Sequence, residues 1–392
     1  MQEQCHKRIV FVIGSMDRGG AESQLTLLAQ QLSLRGWNVS VFTLERSGSL
    51  VSSFERTQIP LEDGGYRFQS GTKAAKMLAL MRCQVKLIRR LRKDRPDVVH
   101  AFLPLTNFMG SSAARLARTP MILTSRRGLG KHQERHPKLR WLDWAANAFS
   151  HVVTANSHAV AADVEQRDGY PASRIVVIPN GLDFGRFAET QSRREEVRHM
   201  LGLDADHVAI VNVANLIPYK GHTELVKAFA VLAKEDFRLK LFVIGEDRGL
   251  AESLLDTARK LGVIDRMFLL GGRSDVPDLL SAMDLGVMAS HEEGFSNAVL
   301  EKLASGLPVV ATDVGGNPEA LEGMPDCELA RPMDSTDLAR AMRRVLSRLE
   351  AVRLNGPERR RLVRERYSVD AMVDRYERLY LSRANGGDHQ RP

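Results

Sequence analysis

The stretch HEEGFSNAVLE, residues 291–301, links an apolar run to a helical pattern. The run before it, Leu285 to Ala289, predicts a buried strand, and residues 297–305 predict a helix. Either Ser296 or Asn297 can cap this helix, which leaves backbone N–H groups unpaired at the positive end of a helix dipole. Because such an end attracts anions, the stretch predicts a phosphate-binding site.

Two glutamates stand on either side of this predicted phosphate site, Glu293 in the loop and Glu301 about one turn into the helix. A carboxylate repels phosphate, but it accepts hydrogen bonds from hydroxyl groups. A nucleotide sugar has a diphosphate in the middle and paired hydroxyls at both ends, so the stretch predicts a site for such a ligand. The alternative is structural, since acidic residues in a first helical turn also stabilise the helix dipole.

The length and composition of the chain indicate the class of protein to which this site belongs. A chain of 392 residues predicts two domains, and 43% hydrophobic with 27% charged residues is typical of soluble globular proteins. No apolar run is long enough to span a bilayer, and residues 9–13 are too short for a signal peptide. Cys5, Cys83 and Cys327 are too scattered for a disulfide framework or a metal site, which indicates a reducing cytoplasm.

Short apolar runs alternate with amphipathic segments along both halves of the chain. The predicted strands are residues 8–16, 39–44, 98–103, 121–125, 152–155, 175–178, 208–213, 239–244, 267–270, 285–289 and 309–312. The predicted helices of the second half include residues 193–201, 222–234, 250–261, 276–283, 334–349 and 369–381. Such alternation predicts two α/β domains, each a doubly wound parallel sheet with helices on both faces.

A junction rich in proline and glycine, residues 179–192, separates the two halves and predicts a hinge. In doubly wound sheets a ligand binds beyond the carboxyl ends of the strands, so we expect the site in a cleft between the halves. The first strand is followed by Asp17-Arg18-Gly19-Gly20 and a predicted helix, residues 23–34. A glycine turn between a strand and a helix is a second place that can cradle a phosphate.

The positive charge is concentrated in the first half. Residues 1–185 contain 26 Lys and Arg against 15 Asp and Glu, a net charge of +11, whereas the remainder has 30 against 33, a net charge of −3. A predicted helix, residues 72–94, has apolar residues from Met77 to Leu91 on one face and many basic side chains on the others. Such a helix either lies on an anionic membrane surface or packs on the core with its basic side in solvent, and the sequence leaves both open. Its basic residues are not interleaved with aromatic ones, so we do not expect nucleic acid as a partner.

Two patterns that suggest metal ligands are better explained otherwise. His132 and His136 have helical spacing, but the sequence HQERH is not HExxH and Pro137 follows at once. We interpret residues 126–140 as a loop near an acceptor substrate, with an ordinary surface loop as the alternative. Asp204-Ala205-Asp206 precedes a strand, at the wrong end of a sheet for a site, so we interpret it as a turn.

The stretch and four further segments together resemble glycosyltransferase family 4. The segments are GSMDRGGAE (14–22), VIPNGLD (177–183), ANLIPYKG (214–221) and ASGLPVVATDVGGNPE (304–319). The resemblance runs over residues 8–382 and implies the GT-B fold, two Rossmann-like domains that face each other across a cleft. It implies an acceptor-binding domain at 1–185, a nucleotide-sugar domain at 186–366, a helix at 367–384 that crosses back to the first domain, and a disordered tail at 385–392.

The resemblance also implies roles for individual residues. Lys220 resembles the family's phosphate-binding lysine, Glu293 the residue near the donor hexose, and Glu301 the residue on the ribose hydroxyls. Further donor contacts are implied for Gly19, Gly20, Asn215, Arg273, Val276, Gly294, Phe295, Ser296 and Asn297.

The sequence departs from the family at two places. Asn215 stands where the family usually has an arginine that pairs with the lysine on the leaving diphosphate, and Arg18, Arg126 and Arg127 are candidates to supply the missing charge. A histidine often found at the end of a strand in the first domain is absent, with Ser125 and Arg126 in that region. His100 ends a neighbouring strand, where it either lines the pocket or is packed. These five residues, Arg18, His100, Ser125, Arg126 and Arg127, are the candidates for acceptor or phosphate contacts.

The resemblance therefore implies a retaining hexosyltransferase that uses a nucleotide diphosphate sugar and a saccharide acceptor, either free or lipid-linked. The expected pathway is bacterial-type synthesis of cell-surface or extracellular polysaccharide, such as lipopolysaccharide. We expect Lys220 and Glu293 to be catalytic, with no protein nucleophile, no metal and no other cofactor. The expected location is the cytoplasm, with peripheral binding to the inner face of the membrane. The alternatives are a GT-B epimerase or phosphorylase and a non-enzymatic basic binding protein.

Overall fold

The computed structural model describes residues 7–17, 19–68, 71–130, 133–134, 140–188 and 190–384. These residues form two compact units, one comprising the chain up to Gly181 and from Val369 onward, the other Leu182–Ser368. The domain boundaries that we placed at residues 185 and 366 lie four residues after Gly181 and two residues before Ser368. The tail at 385–392 lies outside the described residues.

The described residues of the N-terminal unit form a parallel sheet of seven strands. The strands are Arg8–Ile13 (β1), Asn38–Thr43 (β2), Leu61–Asp63 (β3), Val98–Phe102 (β4), Met121–Arg126 (β5), Val152–Ala155 (β6) and Ile175–Val177 (β7). The helices whose full bounds are described are Gly20–Leu34 (α1), Val51–Thr57 (α2), Lys73–Asp94 (α3), Pro104–Leu116 (α4), Arg140–Phe149 (α5) and His158–Asp168 (α6). The strand order is β3-β2-β1-β4-β5-β6-β7, so the winding reverses between β1 and β4, as in Rossmann-like sheets.

The C-terminal unit repeats this topology with six parallel strands. They are Val208–Val213 (β8), Leu239–Ile244 (β9), Met267–Leu269 (β10), Leu285–Met288 (β11), Val309–Thr312 (β12) and Glu328–Ala330 (β13). The helices are Arg194–Met200 (α7), His222–Glu235 (α8), Ala251–Lys260 (α9), Val276–Ser281 (α10), Asn297–Ala304 (α11), Asn317–Leu321 (α12), Ser335–Leu346 (α13), Leu349–Leu354 (α14) and Gly356–Tyr367 (α15). The order β10-β9-β8-β11-β12-β13 places the reversal between β8 and β11.

The last helix, Val369–Ala384 (α16), returns to the N-terminal unit. Tyr376 and Tyr380 are buried in its core, and the indole Nε1 of Trp37 donates a hydrogen bond to Glu377 at 2.8 Å. Two parallel α/β domains and a final helix that crosses back confirm the fold predicted from the sequence.

Some elements were not predicted, and each has a weak apolar pattern. The edge strands β3 and β13 have three residues each. The helix α15 buries Arg359, Val363 and Tyr367 on one face. Because one of these residues is an arginine, the apolar residues of the segment do not show a clear helical period. The guanidinium of Arg359 donates to the carbonyls of Gly306 and Val352, which explains how it can be buried.

The basic helix α3 was predicted at the right place, but its apolar face was wrong in part. The helix begins after Thr72, whose hydroxyl accepts a hydrogen bond from the Ala75 amide, and it buries Cys83, Leu87 and Leu91. Met77 and Met81 are 60% and 57% exposed because the buried stripe is narrower than the apolar one. None of the described helices is both long and apolar enough to cross a membrane.

Candidate active site

The loops that follow β8 and β11 bring together the two residues predicted to be catalytic. Lys220 ends a 3-10 turn, Pro218–Lys220, and its Nζ donates to Oε1 of Glu293 at 2.6 Å. The hydroxyl of Ser290 donates to the same oxygen at 2.7 Å. The Lys220 side chain is 19% exposed and that of Glu293 is 9% exposed. Because β8 and β11 are neighbours where the winding reverses, this ion pair lies where such sheets bind their ligands.

Two glycines allow the loops of the site to pack closely. Gly221 has φ +66°, and a Cβ there would lie 1.8 Å from the carbonyl oxygen of Ala289. Gly315 has φ +54°, and a Cβ there would lie 2.0 Å from the carbonyl oxygen of Glu293. Both positions therefore require glycine, for the backbone angle and for the close approach.

The helix α11 begins as predicted, with Ser296 as its cap. The Ser296 hydroxyl accepts a hydrogen bond from the Val299 amide at 3.4 Å, and Asn297 is the first helical residue. Phe295 is a core residue whose ring lies 5.2 Å from that of Tyr367. Its side chain is thus committed to packing, and a ligand contact from Phe295 is limited to the backbone.

The second glutamate, Glu301, lies on the same helix. Its Oε1 is 4.0 Å from Nη1 of Arg186, a residue of the 3-10 turn Phe184–Phe187, and its side chain is 19% exposed. Arg186 was not singled out in the sequence because it lies in the glycine-marked junction, far along the chain from Glu301.

The predicted base-binding loop follows β10. Arg273 donates from Nε and Nη2 to the two carboxylate oxygens of Asp275 at 2.8 and 2.6 Å, and Val276 begins α10. The hydrogen bonds from Arg273 lower the pKa of Asp275 below its usual value. The charge of Arg273 is thus balanced by that of Asp275. The binding of the nucleotide base by this loop stays a prediction.

Asn215, where the family usually has an arginine, forms a hydrogen bond between the loops that follow β8 and β9. Its Oδ1 accepts from the Glu246 amide at 3.1 Å, and its carbonyl accepts from Nε2 of His222 at 3.0 Å. The other ring nitrogen of His222 lies 3.1 Å from Nδ2 of Asn212. Burial lowers the pKa of His222, which fits a neutral ring that donates on one side and accepts on the other.

Two of the arginines proposed to replace the missing charge, Arg126 and Arg127, bind other residues of the N-terminal unit. Arg126 is buried and forms ion pairs with Asp143 and Asp168, so its charge is already balanced. Arg127 donates to Oδ1 of Asn180 at 2.5 Å and lies 3.5 Å from the Tyr376 hydroxyl. Arg126 is therefore a structural ion-pair residue, contrary to the expectation of a ligand contact. Arg18 lies outside the described residues, so its role stays a prediction.

His100 and Ser125 are core residues, and the expectation that they contact an acceptor is not supported. Both are 0% exposed. The His100 ring nitrogens lie 2.8 Å from the Tyr380 hydroxyl and 2.8 Å from the Ser125 hydroxyl. Burial lowers the pKa of His100 well below its ordinary value, so the ring is neutral. Of the two alternatives for His100, the structure favours the packed side chain.

The glycine loop of the N-terminal unit leads into α1. Gly19 is the N-cap residue and Gly20 is the first helical residue. A Cβ on Gly19 would lie 2.2 Å from a carboxylate oxygen of Glu22. Glu22 was not among the predicted site residues. Burial raises the pKa of Glu22, and the nearby positive charge of Arg127 opposes this shift.

Lys302 is a second residue that sequence reasoning missed. Its side chain is fully buried beneath the site, and its Nζ has no hydrogen-bond partner among the described residues. A Cβ on Gly286 would lie 2.5 Å from Cδ of Lys302, so the glycine of β11 makes room for it. Burial lowers the pKa of Lys302 to about 7, while the charges of Glu301 and Glu293 oppose the shift.

Replacing Lys302 by methionine is expected to stabilise the chain in a pH-dependent manner. Below about pH 7 the lysine is charged in both the folded and unfolded states, so the full cost of burying the charge is present. The gain should be a few kcal/mol there and should fall as the pH rises from 7 to 10.5, because over this range the lysine is neutral in the folded state and still charged in the unfolded one. Denaturant unfolding of both chains across this pH range measures the difference. Lys234→Met, on an exposed site of α8, is the control, and a gain independent of pH would contradict the prediction.

The patterns that resemble metal ligands give no metal site in the described part of the chain. Asp204 and Asp206 lie in a turn before β8, as predicted. Among the described residues, no group of three His, Cys, Asp or Glu side chains could hold a metal ion. His132 and His136 lie outside those residues, and metal independence stays a prediction.

Two Rossmann-like units, with a lysine–glutamate pair and a capped helix at the reversal point of the second sheet, are typical of the GT-B fold. The chain belongs to glycosyltransferase family 4. Residues 18–186 match the family described as Glycosyltransferase Family 4, and residues 207–348 match that described as Glycosyl transferases group 1.

Named relatives and solved structures agree with this class. The chain is 25% identical, over 77% of its length and 79% of the other, to the UDP-Gal:alpha-D-GlcNAc-diphosphoundecaprenol alpha-1,3-galactosyltransferase of Escherichia coli. It is 27% identical to the D-inositol 3-phosphate glycosyltransferase of Geodermatophilus obscurus, over 93% and 85% of the two chains. The crystal structure of Anabaena Alr3699/HepE in complex with UDP-glucose has a TM-score of 0.82 and 24% identity, covering 96% of this chain and all of that one. The predicted family and fold are confirmed, and the protein is a glycosyltransferase.

Proposed function

We propose that the protein is a retaining glycosyltransferase that moves a hexosyl group from a nucleotide diphosphate sugar to a lipid-linked saccharide. The pathway that we infer is bacterial synthesis of a cell-surface polysaccharide. The observation that carries the proposal is the Lys220–Glu293 pair, 2.6 Å apart, between the end of β8 and the start of α11. The lipid-linked acceptor is supported by the name of the Escherichia coli relative, which specifies a diphosphoundecaprenol substrate.

The donor is assigned to the C-terminal unit through its charges and hydroxyls. The ammonium of Lys220 and the amides from Gly294 to Asn297 bind the diphosphate, because both present positive charge to it. Oε1 of Glu293 accepts from Lys220 and Ser290, so we assign Oε2 to a hydroxyl of the hexose.

In the proposed reaction the bond between the anomeric carbon and the diphosphate oxygen breaks, and the acceptor hydroxyl forms the new bond on the same face of the sugar. The electron pair of the broken bond goes to the diphosphate, and the acceptor's proton passes to the departing phosphate oxygen. The chain then needs no nucleophile of its own. Lys220 and the helix amides stabilise the charge that develops on the leaving group, and we propose that no metal is required.

Glu301→Ala is expected to weaken donor binding about tenfold or more, with a smaller effect on kcat, because a bound ribose loses its acceptor. Titration calorimetry with a nucleoside diphosphate measures the affinity. Arg186→Gln serves as the matched control, since it removes the neighbour of Glu301 and leaves the carboxylate. Unchanged nucleotide affinity in Glu301→Ala would contradict the ribose role.

We also propose that the enzyme works in the cytoplasm as a peripheral protein on the inner face of the membrane. The helix α3 supports this, because it presents basic and apolar side chains together to solvent. Arg82, Arg89 and Arg92 are exposed, and so are Met77, Leu78, Met81 and Val85. Such a surface is typical of helices that lie in the interface of an anionic membrane.

The proposed function is tested first by thermal stabilisation and calorimetry with a panel of sugar nucleotides. The donor that binds is then incubated with lipid-linked and free saccharides, with and without EDTA, and the anomeric configuration of the product is read by NMR. Retained configuration and transfer in EDTA are the expected results. No binding of any sugar nucleotide, or consumption of the donor without an acceptor to an epimeric sugar, would overturn the proposal.

A further inference from the structure

A broad apolar surface on the N-terminal unit extends beyond α3. The outward face of α5 carries two exposed tryptophans, Trp141 at 55% and Trp144 at 65% exposure, followed by the exposed Ala148. The chain has three tryptophans, and the third, Trp37, is buried. Exposed tryptophan is costly in water and is enriched where proteins meet the membrane interface.

The helix α4 lies between α3 and α5 and joins their exposed faces. The Nε2 of Gln84 in α3 donates to Met109 O and Ser112 Oγ of α4 at 3.2 and 3.1 Å. On its other side, Phe108 of α4 packs edge-on against Trp141 with ring centroids 5.2 Å apart. Leu105 and Phe108 are half-buried, so the middle helix adds apolar surface between the two flanks.

The three helices run in the same direction, which places their apolar residues at one end. Arg92 of α3 donates to the carbonyl of Leu116 at the end of α4, and Arg115 near that end lies 3.3 Å from His151, just after α5. The exposed apolar residues lie mostly in the first halves of α3 and α5. Since crossover helices run antiparallel to parallel strands, this end is the carboxyl edge of the sheet, where ligands of such sheets bind.

The charge of the surface formed by α3, α4 and α5 indicates which kind of partner it can bind. The acidic residues of α3, α4 and α5, all of them described, are Asp94 and Asp143, and both are ion-paired with arginines. Arg82 is exposed near the apolar residues, whereas Arg89 and Arg92 are exposed toward the other end of α3, where Arg92 lines a groove with Arg95 and Arg118. Lys86 and Arg90 of the same helix form ion pairs with Glu62 of β3. An apolar, tryptophan-bearing surface beside the exposed arginines of α3 fits an anionic lipid bilayer.

We propose that Trp141 and Trp144 of α5, together with Met77 and Met81 of α3, insert into the interface of an anionic bilayer. This inference rests on the proposed peripheral membrane role and adds a second helix to it. Binding then has two separable parts, an electrostatic part from the arginines of α3 and an apolar part from the inserted side chains of α3 and α5. Salt weakens the electrostatic contribution to membrane binding and does not weaken the apolar contribution.

The test uses the full chain and vesicles of equal parts phosphatidylglycerol and phosphatidylcholine. Tryptophan emission should shift to the blue and be quenched by lipids brominated in the acyl chain, with Trp37 as a constant buried background. The double variant Trp141→Gln/Trp144→Gln should lose the quenching and bind about tenfold more weakly, even in high salt. Arg82→Gln/Arg89→Gln should keep the quenching at saturating lipid but lose the dependence on phosphatidylglycerol.

Phe237→Gln is the matched control, because Phe237 is an 85% exposed aromatic residue in the C-terminal unit. It should bind vesicles as the natural chain does.

Vesicle binding without tryptophan quenching would overturn the proposal, as would a dimer in solution that the tryptophan substitutions dissociate. Sugar-nucleotide binding, measured on the same samples, should be equal in all variants. Its absence in the natural chain would contradict the proposed function, whereas intact nucleotide binding with no vesicle binding would contradict this inference alone.

Discussion

Lys220→Ala is expected to lower kcat by about 10²-fold or more, equivalent to about 3 kcal/mol of transition-state stabilisation. The leaving diphosphate gains negative charge as the glycosidic bond breaks, and the Lys220 ammonium lies where the end of β8 meets the start of α11. Loss of this cation should affect the transition state more than the bound donor, because the charge on the bridging oxygen develops only during bond cleavage. Steady-state transfer and single-turnover rates measure the effect.

The control for Lys220 is Lys234→Ala on the exposed side of α8. This variant removes the same charge from the same unit at a distance from the site and should keep normal turnover. The affinity of Lys220→Ala for the nucleoside diphosphate product should also fall, since the lysine binds the phosphates in the product too. Near-normal turnover in Lys220→Ala would remove the proposed mechanism.

Glu293→Ala is expected to lower activity by a similar factor, about 10²-fold or more, for a different reason. This carboxylate orients the hexose and is itself positioned by Lys220 and Ser290 at 2.6 and 2.7 Å. Its removal leaves the donor sugar poorly placed, while Lys220 becomes more available to the phosphates. Product affinity should therefore be kept or increased, which distinguishes this variant from Lys220→Ala.

Glu252→Ala, on an exposed position of α9, is the matched control for Glu293 and should leave transfer unchanged. Ser290→Ala should cause a smaller loss than Glu293→Ala, because Lys220 still holds the carboxylate. Equal affinity for the sugar nucleotide and normal kcat in Glu293→Ala would show that the hexose is held by other groups.

Local patterns in the sequence determined much of the fold. Strands such as Val208–Val213, Leu239–Ile244 and Val309–Thr312 have the predicted bounds because buried parallel strands are continuous apolar runs. The cap of α11 was also predicted, since Ser296 was one of two candidates and capping follows from the chemistry of a single turn. The resemblance to family 4 then assigned Lys220 and Glu293 to one ligand before their distance was known.

Only the tertiary structure decided which distant residues meet. Lys220 and Glu293 are 73 residues apart in sequence and form an ion pair because β8 and β11 are neighbours in the sheet. Arg126 was expected at a ligand, but the fold pairs it with Asp143 and Asp168. The spacing of apolar residues along the sequence indicates which side of a helix or strand is buried. Strand order and side-chain pairing depend instead on contacts between elements that are far apart in the chain. For the same reason the sequence did not reveal that Lys302 is buried or that Trp141 and Trp144 face solvent.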